Sequence, residues 1–174
     1  MERNNIEFRD LRADEIDVRV QSVVDGKGAI LLLYKDARVD QCILDETVGN
    51  LNWKKSYTRD NANCIVEIYD DVKKEWISKE DTGTESNTEK EKGLASDSFK
   101  RACFNWGIGR ELYTSPFIWV KWEDLDIRDG KVKDTFYVEK IKIVDKKITC
   151  ISIKTNKDKR VFVYAEHTEG LNND

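Results

Sequence analysis

The segment that most constrains this chain runs from Thr88 to Tyr113 and reads TEKEKGLASDSFKRACFNWGIGRELY. Thr88 and Glu91 have the spacing of a capping box, which predicts that a helix begins there. At 100° per residue, four apolar residues fall on one side of this helix: Ala95, Phe99, Ala102 and Trp106. Gly107 supplies the left-handed residue that commonly ends a helix, and Gly109 turns the chain again. The segment therefore predicts one helix with a core-facing stripe and a tight exit.

The opposite side of the same helix is charged. Lys100 and Arg101 flank it, with Asp97 and Phe104 between them. A charged pair opposite an apolar stripe is typical of any solvated helix face, and on its own it indicates nothing more. Phe104, however, lies among the charges, and Arg110 adds a cation beyond the glycines. Together they favour a surface that offers cations and an aromatic ring to nucleic acid.

The composition limits how nucleic acid could bind. Charged residues make up 37% of the 174 residues, but the formal net charge is −4, which argues against coating nucleic acid through bulk positive charge. Binding would require a local basic stripe. The length predicts one domain over residues 1–165, and the polar composition predicts a disordered tail over residues 166–174.

The cysteines and the hydropathy indicate a compartment. Cys42, Cys64, Cys103 and Cys150 form no C-x-x-C pair, and three of them lie in apolar runs, so we expect reduced thiols in the cytoplasm. We see no signal peptide and no apolar run of membrane-spanning length. His167, the single histidine, lies in the polar tail and is not expected to bind metal.

The pattern of apolar residues predicts an α+β fold built on antiparallel strands. Residues before 15 are expected to lead in loosely. The other expected elements follow in chain order: a hairpin over 17–34, a helix over 35–48 ended by Gly49, strands at 53–59, 63–69 and 75–79, a mobile polar loop over 81–91, the central helix, a strand at 117–122, a charged loop over 126–134, a hairpin of 136–144 with 148–153, and a strand at 161–164.

Few catalytic motifs are present. No G-x-x-x-x-G-K-[ST] loop exists, so nothing indicates an ATP site. Carboxylates are abundant, but most fall in turns and in the polar loop, which leaves a Mg²⁺-dependent nuclease as an alternative without a matching motif. What remains is a set of cations interleaved with aromatic residues, a composition that suits single-stranded nucleic acid. Trp53 and Tyr57 belong to that set, although both could equally be core residues.

The motif ASDSFKRACFNWG resembles the signature helix of the Rad-fifty-two (also Rad-twenty-two) single-strand annealing family, especially its phage and prophage members of the Sak type. Segments upstream of this motif agree with the same family in order and spacing: IDVRVQS, YKDAR, LDETVG, NW, CIVEI and WISKEDTG. The segment WGIGRELY, at the exit of the helix, agrees as well. The match spans about Asp17 to Trp119.

The resemblance implies an α+β domain in which a β-hairpin sheet packs on the signature helix. It implies rings or open arcs of about ten subunits, which hold single-stranded DNA in a basic groove. The implied activity is annealing of complementary strands in recombination and double-strand break repair, without ATP, cofactor or covalent chemistry. A host single-strand-binding protein or recombinase is a further possible partner, and the implied location is the cytoplasm of a bacterial host cell.

The resemblance also implies site residues. Lys100 and Arg101 correspond to paired cations of the groove, Arg38 to a groove arginine and Lys92 to a basic position upstream. Charge and placement add three cations and two rings for base stacking: Lys54, Lys55 and Arg110, with Tyr57 and Phe104. Phe104 stands where eukaryotic members have a further arginine. Besides the nuclease, the alternative is an oligomeric interaction protein that does not bind DNA.

Overall fold

The computed structural model describes residues 5–84 and 90–166, apart from the side chains of residues 90–92. The helices and strands in these ranges are, in chain order: β1 (Asp17–Val24), β2 (Gly28–Tyr34), α1 (Ala37–Val48), β3 (Trp53–Thr58), β4 (Asn63–Asp70), β5 (Glu75–Thr82), α2 (Lys90–Trp106), β6 (Ile118–Lys121), β7 (Ile127–Arg128), β8 (Lys131–Val132), β9 (Phe136–Val144), β10 (Lys147–Thr155) and β11 (Arg160–Ala165). The strand pairs of the described residues are antiparallel. The predicted α+β class is therefore confirmed.

The described residues form two compact units. The helical unit holds residues 5–10 and 36–110, with α1, α2 and the three-stranded sheet β3-β4-β5. The strand unit holds residues 11–35 and 111–166, with a six-stranded sheet of order β11-β10-β9-β1-β2-β6 and the small pair β7-β8. Within the described ranges no helix is both long and apolar enough to cross a membrane. The single annealing domain over residues 1–165 stays a prediction.

The core of the helical unit lies between its sheet and α2. Along β4, Cys64, Val66 and Ile68 are fully buried, whereas the residues between them are partly exposed. This alternation follows from the two-residue period of a strand. Phe99 of α2 is 1% exposed, and its ring lies 6.2 Å from that of Trp53 on β3. The apolar stripe of the helix therefore meets the apolar face of the sheet.

The predicted stripe of α2 is correct in part. Phe99 and Ala102 are fully buried, whereas Ala95 and Trp106 are only half-buried. Ser98 and Cys103 are also fully buried, which the stripe prediction did not include. Ser98 can be buried because its single hydroxyl proton is shared between two backbone carbonyl oxygens, that of Asn61 at 3.0 Å and that of Ala95 at 3.2 Å. The helix face that meets the sheet is therefore wider than the sequence indicated.

The ends of both helices follow the sequence signals where they are described. Asp36 is the N-cap of α1, and its carboxylate accepts from the Arg38 backbone N–H at 2.8 Å. Gly49 ends α1 with φ 83°, and Gly107 follows α2 with φ 106°, both in the region that favours glycine. The predicted capping box lies outside the described residues, since Thr88 and the Glu91 side chain are not among them.

The strand unit contains both predicted hairpins, β1-β2 and β9-β10, and the predicted last strand β11. Its core includes Ile148, Ile151 and Ile153 of β10, each at most 2% exposed. The two end strands, β6 and β11, also contact each other, so the sheet curls toward closure. The hairpin β1-β2 belongs to this sheet, and the sheet that packs on α2 is β3-β4-β5.

Three expectations about loops are corrected. Residues 5–14 do not lead in loosely, because Phe8 and Leu11 are each 3% exposed and Arg9 pairs with Glu46 at 2.6 Å. The charged stretch 126–134 contains the strands β7 and β8. The polar loop expected over 81–91 begins later, since β5 continues to Thr82, and its residues 85–89 lie outside the described ranges, as do residues 167–174 of the expected tail.

Gly83 allows the end of β5 to lie directly against α2. A Cβ at this position would meet the backbone N of Ser98 at 2.6 Å and the backbone O of Leu94 at 3.0 Å. We expect Gly83→Ala to lower the free energy of unfolding by about 3 kcal/mol, because backbone atoms cannot yield to the added methyl group. Urea denaturation measures this change.

Gly26→Ala is the matched control. A Cβ at Gly26 would meet nothing within 4 Å, and only its φ of 68° opposes the change, so we expect a loss of about 1 kcal/mol. Equal losses in the two variants would contradict the close approach of α2 to Gly83.

Candidate nucleic-acid interface

The helix-covered face of the three-stranded sheet carries two lysines. Lys55 on β3 pairs with Val66 on β4, which pairs in turn with Lys79 on β5. Cross-strand partners lie on the same face of a sheet, so the two lysines flank a buried valine. Lys55 Nζ lies 4.3 Å from the ring centroid of Phe99, and Lys79 Nζ lies 4.5 Å from that of Trp106. Each ammonium group is thus held over an aromatic ring of α2 by a cation–π contact.

Lys54 lies on the opposite face of the sheet. Its ammonium group pairs with Glu67 at 3.4 Å and lies 4.3 Å from the ring centroid of Trp76. Side chains alternate along a strand, so neighbouring residues of β3 cannot reach the same face. The structure therefore separates Lys54 from Lys55, although the sequence analysis named both for the same interface.

Lys79 and Arg110 converge on the C-terminal end of α2. Lys79 Nζ donates to the carbonyl of Asn105 at 2.9 Å, and Arg110 donates to the same oxygen at 3.1 Å and to the carbonyl of Phe104 at 2.9 Å. The last carbonyls of a helix lack intrahelical partners and attract cations. Burial lowers the pKa of Lys79, and the nearby Arg110 lowers it further. Both cations therefore stabilise the helix end, whatever else they bind.

Lys100 and Arg101 point to different neighbours. Arg101 pairs with Asp81 at the end of β5, at 3.3 Å. Lys100 is half-buried and acts on Asp36 at the start of α1: the hydrogen bond from Arg38 lowers the pKa of Asp36, and the charge of Lys100 adds to that effect. Arg38 itself pairs with Asp36 at 3.0 Å. The structure thus brings Lys100 near Arg38 and Arg101 near β5.

Carboxylate pairing divides seven cations of the helical unit, six predicted ones and Lys79, into two groups. Arg38, Lys54 and Arg101 each have a carboxylate partner. No described carboxylate forms an ion pair with four other cations, which we call the α2 cations: Lys55, Lys79, Lys100 and Arg110. A cation without a carboxylate keeps its attraction for an external anion. Lys92 lies in the first turns of α2, and its side chain is outside the described residues.

Lys79 is the cation that the sequence analysis missed. It lies in β5, where Ile77, Lys79 and Asp81 alternate with the more exposed Ser78 and Glu80. This alternation could have identified Lys79 from the sequence, since it places a lysine at an inward position of the strand. Such a position favours a lysine whose stem is packed and whose charge has a specific partner.

The two candidate stacking rings already have partners within the protein. Burial raises the pKa of Tyr57 to about 12, and a hydrogen bond with the Cys64 thiol contributes to that shift. The ring of Phe104 is half-buried and lies 5.5 Å from the Arg110 guanidinium carbon. A role for Tyr57 or Phe104 in base stacking stays a prediction.

The Tyr57–Cys64 pair predicts how stability depends on pH. Burial raises the pKa of Cys64 to about 11 from its ordinary value of 9.0, and that of Tyr57 to about 12 from 10.0. As pH rises, the unfolded chain ionises first, so we expect the free energy of unfolding to fall between pH 9 and pH 11. Urea denaturation at several pH values measures the fall.

The variant Cys64→Ala with Tyr57→Phe removes both groups and is the control. Its free energy of unfolding should depend less on pH over the same range. A fall as large as that of the unmodified protein would show that other groups cause it.

Comparison with known proteins gives one similarity. No protein-family profile and no solved structure matches the chain. The chain is similar to the single-stranded DNA-binding protein DdrA of Deinococcus radiodurans, with 31% identity over 98 residues. The aligned residues make up 55% of this chain and 47% of that protein, so the chain matches about half the length of this curated relative.

Proposed function

We propose that this protein binds single-stranded DNA and anneals complementary strands without ATP, as a recombination protein of the phage type. The observation that carries the proposal is the set of α2 cations, none of which forms an ion pair with a described carboxylate. Three of them, Lys55, Lys79 and Arg110, also lie beside aromatic rings. Similarity to a protein named for single-stranded DNA binding supports the binding step. The resemblance of the α2 segment to annealing proteins supports the second step.

Binding follows from charge and spacing. Lys55 and Lys79 are two strands apart, so their Cα atoms are separated by about 10 Å across the sheet. Phosphates placed near such cations release condensed counterions, and this release supplies most of the affinity for nucleic acid. Phe99 is buried in the core, so the rings proposed to offer π-faces to bases are the half-buried Trp106 and Phe104, beside Lys79 and Arg110. Such stacking has little sequence preference. The arrangement suits a strand of any sequence.

Arg38 and Arg101 play a smaller part in this proposal. Each is at least 40% exposed and already pairs with an aspartate, Asp36 or Asp81. A phosphate would have to share the cation with that aspartate, which reduces the gain from binding. Lys92 stays in the proposed site on the resemblance alone. Lys54, on the other face, serves best as a comparison residue.

Annealing would follow from holding one strand extended. The cations reduce repulsion between two phosphate backbones, and a strand that is already ordered loses less entropy when its complement pairs. Repetition of the site around a ring of about ten subunits would give high avidity from modest single sites. We propose residues 1–165 as the annealing domain of each subunit.

Annealing of two labelled complementary oligonucleotides tests the activity. We expect annealing in EDTA and without ATP, with a rate that falls steeply as salt rises. Lys100→Ala with Arg101→Ala should abolish annealing and leave the oligomer intact in light scattering. Normal annealing by this variant would reject the groove assignment.

The same assay separates the alternatives. Strand cleavage that stops in EDTA would indicate a Mg²⁺-dependent nuclease. Failure to bind single-stranded DNA even at low salt would indicate an interaction protein that does not act on DNA.

Two neighbouring lysines provide a sharper test of the binding face. Lys55→Ala and Lys54→Ala remove the same charge from adjacent positions of β3, on opposite faces of the sheet. We expect Lys55→Ala to weaken single-stranded DNA binding and to reduce the salt slope by about 0.7, the value for one phosphate contact. Lys54→Ala should leave the slope unchanged. Fluorescence anisotropy across a salt titration measures both, and the reverse order would move the interface to the other face.

A further inference from the structure

Positive charge is concentrated near the end of the chain. Residues 131–160 contain ten Lys or Arg and four Asp or Glu, in a protein whose formal net charge is −4. This segment forms β8 to β10 and the start of β11, all in the strand unit. It lies beyond the part of the chain that resembles annealing proteins. The resemblance to annealing proteins therefore does not account for the excess of positive charge in this segment.

Three exposed residues line the outer face of β9, and we call them the β9 stripe: Tyr137, Lys140 and Lys142. Tyr137 shares the face of the two lysines because the pairing of β9 with β10 shifts by one residue between Val138 and Lys140. Lys140 pairs across the sheet with Ser152, and Lys142 pairs with Cys150. These short partners leave the two ammonium groups uncovered. The intervening Ile141 pairs with Ile151, which is 2% exposed, so the lysines face away from the core. Two residues apart on one strand, the lysines are separated by about 7 Å.

Two acidic groups beside the stripe, Glu139 and Asp158, are already engaged by other cations. Glu139 accepts two hydrogen bonds of 2.7 Å from Arg160 and one of 2.9 Å from Ser152, and Lys154 lies 3.3 Å away. Asp158 pairs with Lys154 at 2.9 Å. No described carboxylate forms an ion pair with Lys140 or Lys142. Both lysines therefore remain available to an external anion.

An aromatic row crosses the sheet at the end of the stripe. Tyr137 on β9 pairs with Asp17 on β1, and Asp17 pairs with Tyr34 on β2. Both tyrosines are exposed, at 43% and 38%, and the guanidinium of Arg19 lies 5.5 Å from the ring centroid of Tyr34. Asp17 is the acidic member of the row, whereas the stripe beyond Tyr137 is basic. Tyr137 therefore belongs both to the aromatic row and to the β9 stripe.

We propose that the β9 stripe is a second contact surface for single-stranded DNA, separate from the α2 cations. Lys140 and Lys142 bind successive phosphates of the strand, and the ring of Tyr137 stacks a base. This inference rests on the proposed function. Exposed lysines on a strand also discourage aggregation through sheet edges. The experiment must therefore distinguish DNA binding by the β9 stripe from this purely structural role.

The test uses the full chain and an unstructured oligonucleotide of mixed sequence. We expect Lys140→Ala with Lys142→Ala to reduce the salt slope by about 1.4 and to weaken binding at 0.1 M salt by about ten-fold or more, because two phosphate contacts are lost. The control is Lys131→Ala with Lys133→Ala, which removes two exposed lysines of the same segment that have no ion pair with a described residue. Fluorescence anisotropy measures the slopes, and circular dichroism checks folding.

The outcomes separate this inference from the proposed function. A reduced slope in the β9 variant, with the control unchanged, supports the second surface. Equal slopes in the β9 variant and the control overturn it, and if Lys55→Ala still weakens binding, the proposed function stands. If the unmodified protein does not bind single-stranded DNA at low salt, both are wrong.

Tyr137 supplies a test that does not depend on charge. We expect Tyr137→Ala to weaken binding at least about five-fold through the lost stacking contact, whereas Tyr137→Phe keeps the ring and should bind normally. Tyr137 also donates to Asp158 at 2.8 Å, and the phenylalanine variant removes that bond alone. Equal losses in both variants would assign the effect to this hydrogen bond and overturn stacking.

Discussion

The helical unit depends on the contact between the helix α2 and the sheet β3-β4-β5. Phe99 of α2 packs against Trp53, and Trp106 donates from its indole N–H to the carbonyl of Val66 at 3.1 Å. Burial of an aromatic side chain of this kind stabilises a fold by about 2–3 kcal/mol, and the hydrogen bond fixes where the helix lies. The rings of Phe99 and Trp106 also support the ammonium groups of Lys55 and Lys79. The packing of the core and the placement of the candidate interface therefore share the same side chains.

Because the same side chains serve the core and the candidate interface, the charge of a cation alone does not show whether it is available to nucleic acid. Lys79 and Arg110 stabilise the end of α2 through the carbonyl of Asn105, and Arg101 is offset by Asp81. Lys55 has a ring as its neighbour and Lys100 a nearby aspartate, but no described carboxylate forms an ion pair with either. A protein of net negative charge can hold a local excess of positive potential in this way, because the nearby carboxylates of Asp36 and Asp81 are engaged by Arg38 and Arg101.

Much of the fold could be predicted from the sequence, since periodicity and glycine positions act locally. The alternation in β4 and the left-handed Gly49 and Gly107 are of this kind. Which strands share a sheet could not be predicted, because pairing is set by contacts distant in sequence. The candidate site shows the same limit. Charge suggested Lys54 and Lys55 together, and alternation along β3 places them on opposite faces, but which of the two meets α2 is set by contacts distant in sequence. The alternation of β5 marks Lys79 as an inward residue, but the sequence pattern does not identify Trp106 as its neighbour.

The turn between β3 and β4 determines which lysine reaches α2. Arg59, Asp60 and Asn61 all have left-handed backbone, with φ of 53°, 52° and 67°, and the Ala62 N–H closes the turn on the Arg59 carbonyl at 3.0 Å. Asp and Asn tolerate this conformation better than most residues. A slip of one residue in this hairpin would exchange the two faces of β3 and leave Lys54 over the ring of Phe99. The electrostatic character of the sheet is therefore encoded in three turn residues that carry only one positive charge among them.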